Sequence, residues 1–152
     1  VNKTRRDFSG FAKLREQLHD LQTYKAQVGL FPETAHRDNK RGITDNVSLG
    51  FQHEFGNPET KLPERSFIRG PLMSHLGPSL TVDWFKKFAT TGAKRTVAAL
   101  GKFGAEVIDE AFATGGFGVW APLKPRTVQR KGSDRILIEH GELREAITFK
   151  VV

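Results

Sequence analysis

The stretch from Ala93 to Ala113 constrains the fold more than any other part of this chain. Val97, Leu100, Gly104, Val107 and Ala111 recur at steps of three and four, and Phe103, Ile108 and Phe112 widen the stripe. That period places them along one side of an α-helix, and its length predicts the longest helix of the chain. Gly101 and Gly104 lie inside it, where each glycine costs up to about 1 kcal/mol relative to alanine. The compensation expected for both is close approach of another element. Gly115-Gly116 ends the helix.

The remaining elements follow from similar signals. Phe11, Leu14, Leu18 and Leu21 predict an amphipathic helix from about Phe8 to Tyr24, with Asp7 as its N-cap and its apolar side on the core. Lys13, Arg15, Glu16, Gln17 and Asp20 form its polar side. Lys25 to Phe31 reads as a strand stopped by Pro32. The polar run from Glu33 to Asp45 is expected to be a mobile loop, since connections of this length are uncommon in compact domains. Asn46 is the expected N-cap of a short helix through Phe55, with Val47, Phe51 and Phe55 four apart and Gly56 and Pro58 ending it. Leu62 to Arg69 begins extended and leads into a short helix through Met73, broken by Gly77-Pro78. Another helix is expected from Ser79 to Ala89. Ala146 to Val152 closes the chain as a strand with Ile147, Phe149 and Val151 on one face. The expected architecture is α+β. A small, mostly antiparallel sheet from Ala26–Phe31 and Ala146–Val152, with at most one further hairpin, packs against the N-terminal helix and the long central helix. The whole chain, 1–152, has the length of one domain.

Composition narrows the function. There is no cysteine, which removes disulfides, thiolate metal sites and cysteine nucleophiles. No run approaches the roughly 18 apolar residues of a membrane helix, so no membrane contact is expected. Twelve phenylalanines stand against one tyrosine and one methionine. Phenylalanine has no polar tip to satisfy, so about four in five of these rings are expected in a core or a subunit interface. The formal net charge is +7, spread over Lys3, Arg5 and Arg6, over Arg37, Lys40 and Arg41, and over an expected basic loop at Arg126, Arg130, Lys131 and Arg135. A basic surface attracts polyanions or an acidic protein, and it also keeps a protein soluble.

No catalytic constellation emerges. His53-Glu54 and Glu139-His140 do not supply the H-E-x-x-H spacing of a metalloprotease helix. Glu106, Asp109 and Glu110 share a helix without the further carboxylates of a Mg²⁺ site. No serine lies in a G-x-S-x-G turn, and Gly115-Gly116-Phe117-Gly118 lacks the Lys-Ser/Thr of a phosphate-binding loop. The expectation is a protein that is not an enzyme, with no catalytic, cofactor-binding or metal-binding residues.

The ordered set of pieces resembles a known family. They are the N-terminal helix, Val28-Gly29, the helix ending His53-Glu54-Phe55-Gly56, the segment from Leu62 to Arg69 and the long helix. After these come Trp120-Ala121-Pro122-Leu123, Thr127, Arg130-Lys131-Gly132, Leu137-Ile138, Gly141-Glu142-Leu143-Arg144 and Ile147-Thr148. Together, over about Ala26 to Val152, they are similar to the neck and tail-completion (virion morphogenesis) proteins of tailed double-stranded DNA bacteriophages. The chain departs from that pattern at Glu64 and Ser66, where the family often has proline or alanine. At His140 the family often has a small polar residue.

The resemblance implies a structural virion protein of the head–tail junction, made in the host cytoplasm. It implies a homo-oligomeric ring, six-fold by analogy, that joins the head connector to the tail around the DNA channel. Its neighbours would be a head-closure or connector protein and a tail terminator or tail tube protein. The candidate interface residues are Arg65, Phe67, Arg69, Trp120, Leu123, Arg130, Lys131 and Leu143. Trp120 beside Pro122 has the rigidity of an interface anchor, although a core tryptophan fits the same residues. Arg65 and Arg69 are expected to fork onto carboxylates of a neighbouring subunit in preference to DNA. Arg37, Lys40 and Arg41 are the candidate DNA-facing residues. The rival expectation is a stand-alone basic nucleic-acid-binding module.

Overall fold

The computed structural model describes residues 9–34, 36 and 45–152. Its centre is the predicted long helix. In chain order the elements are α1 (Ser9–Leu21), β1 (Ala26–Leu30), α2 (Asn46–Phe55), α3 (Arg69–Pro71), a π-helical turn (Leu72–Leu76) and α4 (Gly77–Ser79). They are followed by α5 (Val82–Thr91), α6 (Ala93–Thr114), α7 (Pro125–Lys131), α8 (Glu142–Glu145) and β2 (Ile147–Val151). β1 and β2 pair antiparallel in a two-stranded sheet, with Ala26 opposite Val151, Val28 opposite Phe149 and Leu30 opposite Ile147. The fold is therefore α+β, with the sheet laid on α6. No third strand joins it among the described residues. Instead, isolated bridges join His36 to Asp45 and Asn57 to Leu62.

The two glycines of α6 explain how a two-stranded sheet is held. A Cβ on Gly101 would sit 2.6 Å from Cδ2 of Phe149 and 3.3 Å from the Cβ of Ala26. A Cβ on Gly104 would sit 3.1 Å from Cγ2 of Val28. Both strands thus rest directly on the helix backbone, and packing on a helix is what an isolated pair of strands needs for stability. Gly101→Ala is accordingly expected to destabilise the fold. Overpacking costs about 1–3 kcal/mol and outweighs the helix-propensity gain of up to about 1 kcal/mol. Gly10→Ala on α1, where nothing lies within 4 Å, keeps the propensity gain alone. Thermal unfolding of the two variants should move in opposite directions.

The core gathers at the C-terminal half of α6. Phe67, Ile108, Ala111, Phe112, Trp120 and Leu143 are buried together. Phe112 meets Phe67 edge-on at 5.4 Å and Trp120 edge-on at 5.7 Å, the geometry that aromatic quadrupoles favour. Outside it, Arg144 makes a bidentate pair with Asp109, Nη2 to Oδ2 at 2.7 Å, and so ties α8 to α6.

Several expectations are corrected. The N-cap of α2 is Asp45, whose extended backbone (φ −160°) lets its side chain accept from the Ser48 amide; Asn46 is the first helical residue. The side of α2 turned inward carries Asn46, Gly50 and Glu54, while Phe51 and Phe55 remain exposed. Gly77-Pro78 does not break the helical run. The wider π turn at Leu72–Leu76 relieves the clash between a proline ring and the carbonyl one turn earlier, and Pro78 then sits in the first turn of α4. The basic stretch expected as a loop forms α7, started by Pro125 and closed by Gly132 in the left-handed conformation. The largest departure is α1, which has no buried residue.

Candidate binding cleft and exposed apolar surface

One carboxylate positions the segment around which the site is built. Glu54, in the last turn of α2, is 5% exposed. Its Oε2 accepts from the amides of Phe67 (2.8 Å) and Ile68 (3.0 Å). Its Oε1 accepts from the Ser66 hydroxyl (2.6 Å) and the Arg69 amide (3.0 Å). These amides open the helical run that begins at α3, where a helix leaves donors without partners and favours negative charge. One residue earlier the Arg65 amide donates to the His53 carbonyl at 2.8 Å. The chain from Arg65 to Arg69 is thus hung from the end of α2.

The same segment holds the stretch that follows α6. Trp120 Nε1 donates to the Ser66 carbonyl at 3.0 Å. Arg65 Nε donates to the carbonyl of Ala121 at 3.1 Å, and Arg65 Nη2 to that of Pro122 at 3.4 Å. A cleft of about 410 Å³ opens beside these bonds, bounded by the chain near Lys61 and by α7. Among the described residues its charged lining is Lys61, Arg65, Lys124, Arg130 and Lys131, with Glu139 the one carboxylate. Arg65 is 5% exposed, and burial lowers its pKa from the usual arginine value. Burial also lowers that of Lys131; Glu139 opposes this, Arg65 reinforces it and Asp134 opposes it. Cations facing one another in a cleft disfavour their own charge unless an anion joins them.

The predicted interface residues separate into two groups. Phe67 (0% exposed), Leu143 (4%) and Trp120 (8%) lie inside the chain, so they are corrected from surface contacts to core residues. Arg65 donates through Nε and Nη2 to the backbone carbonyls of Ala121 and Pro122 in its own chain. Arg69 pairs with Glu64 at 2.8 Å in the same chain and lies over the Phe55 ring. Leu123, Arg130 and Lys131 all line the cleft. Arg37, Lys40 and Arg41 lie outside the described residues, as does most of the loop expected between Glu33 and Asp45. Lys61, Lys124 and Glu54 join the site only through the fold. Lys124, directly before Pro125 and the basic stretch, carried a usable signal; Lys61 and Glu54 did not.

Apolar side chains remain on the surface. On α1, Phe11 is 71% exposed, Leu18 51% and Leu14 39%. The rings of Phe51 and Phe55 meet at a tilt, with centroids 4.8 Å apart, on the outer side of α2. Met73 (76%) and Val119 (83%) are exposed as well. Among the described residues no group of three or more His, Asp or Glu could hold a metal ion. No described helix is long and apolar enough to cross a membrane. No protein-family model, curated protein or solved structure matches this chain.

Proposed function

We propose that this chain is a non-catalytic structural subunit of the head–tail junction of a tailed bacteriophage. Copies assemble into a ring that joins the head connector to the tail around the DNA channel. The observation that carries the reading is α1. An isolated helix shorter than about 12–15 residues is marginal in water and depends on packing of its apolar side. α1 has 13 residues, none of them buried, and Phe11, Leu14 and Leu18 on it are exposed. Each large apolar side chain fully covered by a neighbour contributes about 1.5–3 kcal/mol. Phe11, Leu14 and Leu18, with Phe51, Phe55, Met73 and Val119 elsewhere, therefore replace Phe67, Trp120 and Leu143 as the docking residues.

The rival is a basic nucleic-acid-binding module, favoured by the net charge of +7. The two differ in their response to salt. Apolar ring contacts persist as salt rises, whereas a complex built on phosphates weakens steeply with it. Size-exclusion chromatography and a duplex-DNA shift assay across a salt series separate them. The assembly reading expects a salt-resistant oligomer with weak, sequence-blind DNA binding. A monomer that forms a tight, salt-sensitive DNA complex overturns it.

A further inference from the structure

We infer that the cleft between Lys61 and α7 is an anion site, and that its occupant is a carboxylate side chain presented by an acidic segment of a partner protein. This deepens the assembly reading by naming the chemistry of one contact.

The floor of the cleft carries the inference. Arg65 is 5% exposed, and its guanidinium cannot shed its proton. Two of its nitrogens bond to the neutral carbonyls of Ala121 and Pro122, and no salt bridge to it is present among the described residues. Buried charges are normally paired, because an unpaired one bears the loss of its hydration. The cleft concentrates the imbalance, since among the described residues Lys61, Lys124, Arg130 and Lys131 line it and Glu139 is the one carboxylate there.

Shape favours a carboxylate over nucleic acid. A guanidinium fork matches a planar carboxylate in a bidentate pair. Leu62, Pro63, Pro122, Leu123 and Leu137 supply apolar wall for the aliphatic stem of a glutamate. The phosphates of a duplex lie on a convex surface. They reach exposed rim cations such as Lys124 and Arg130, not a recessed floor.

The test is fluorescence anisotropy of a labelled tetraglutamate peptide titrated into the full chain. Tetraglutamine, inorganic phosphate and a short DNA duplex serve as parallel titrants. Tetraglutamate should bind and tetraglutamine should not. Arg65→Lys, which keeps the charge and loses the fork, should weaken binding about tenfold or more. Because that change also removes bonds to Ala121 and Pro122, Lys124→Gln combined with Arg130→Gln provides a second arm. This variant should unfold at the wild-type temperature and still lose about tenfold in affinity. Absence of peptide binding, or binding indifferent to both variants, overturns the site. Duplex or phosphate binding that depends on Arg65 more strongly than peptide binding does overturns the carboxylate assignment. Oligomer mass is read separately, so the cleft and the ring can each fail alone.

Discussion

Glu54→Ala is expected to remove about 4–6 kcal/mol of stability, because one buried amide, two part-buried amides and a part-buried hydroxyl lose their acceptor and each unsatisfied group costs about 1–3 kcal/mol. The donors are Ser66 Oγ and the amides of Phe67, Ile68 and Arg69. A domain has only about 5–15 kcal/mol in total, so the variant should be largely or wholly unfolded at 37 °C. Glu54→Gln isolates the chemistry from the cavity. Glutamine fills the space but keeps one acceptor oxygen and points an NH₂ group at two donors. It should still lose about 2–4 kcal/mol. Urea unfolding monitored by circular dichroism measures both, and an unchanged denaturant slope would confirm that only stability has moved. A loss below about 1 kcal/mol for both variants would mean that water replaces the carboxylate without cost.

Trp120→Ala should cost about 3–5 kcal/mol, the range for emptying a large aromatic from a core. The indole is 8% exposed, meets Phe112 edge-on at 5.7 Å and donates to Ser66. Trp120→Phe keeps a ring against Phe112 and loses the donor, so it should fall between wild type and alanine. Thermal and urea unfolding of the three proteins orders them. An interface role predicts the opposite pattern, with a normally stable subunit that fails to assemble.

The contrast between these residues and α6 shows what could be seen in the sequence. The long helix is a local pattern: its stripe has one period, its glycines lie within the stripe, and a glycine pair ends it. The strands at Ala26 and Ile147 were legible for the same reason, and their pairing explains what the glycines are for. Trp120 was ambiguous because a buried tryptophan and an interface tryptophan look alike in one sequence; only the Ser66 carbonyl, 54 residues away, separates them. Arg65 has a preference for carboxylates that is visible in its residue type, but its bonds to backbone carbonyls 56 and 57 residues distant are not. Glu54 beside His53 lacks the spacing of a metal pair, so the sequence offers no role for it. Its buried position becomes intelligible once the amides of the α3 start are brought to it. On α2, burial of Asn46, Gly50 and Glu54 overrides the apolar spacing of Val47, Phe51 and Phe55 because specific hydrogen bonds satisfy the polar side chains. For example, Asn46 Nδ2 donates to the Glu142 carbonyl at 3.3 Å. The helical period of α1 was legible too, but a period cannot say whether the apolar side meets its own chain or another.

That last distinction is the central claim, and sedimentation mass tests it directly. The wild-type chain should sediment as a discrete oligomer. A variant carrying Leu14→Asp and Leu18→Asp should sediment as a monomer with an unfolding temperature close to that of dissociated wild type. An unchanged oligomer mass in that variant, or a wild-type chain that remains monomeric at high concentration and in the presence of its neighbours, would contradict a docking role for α1.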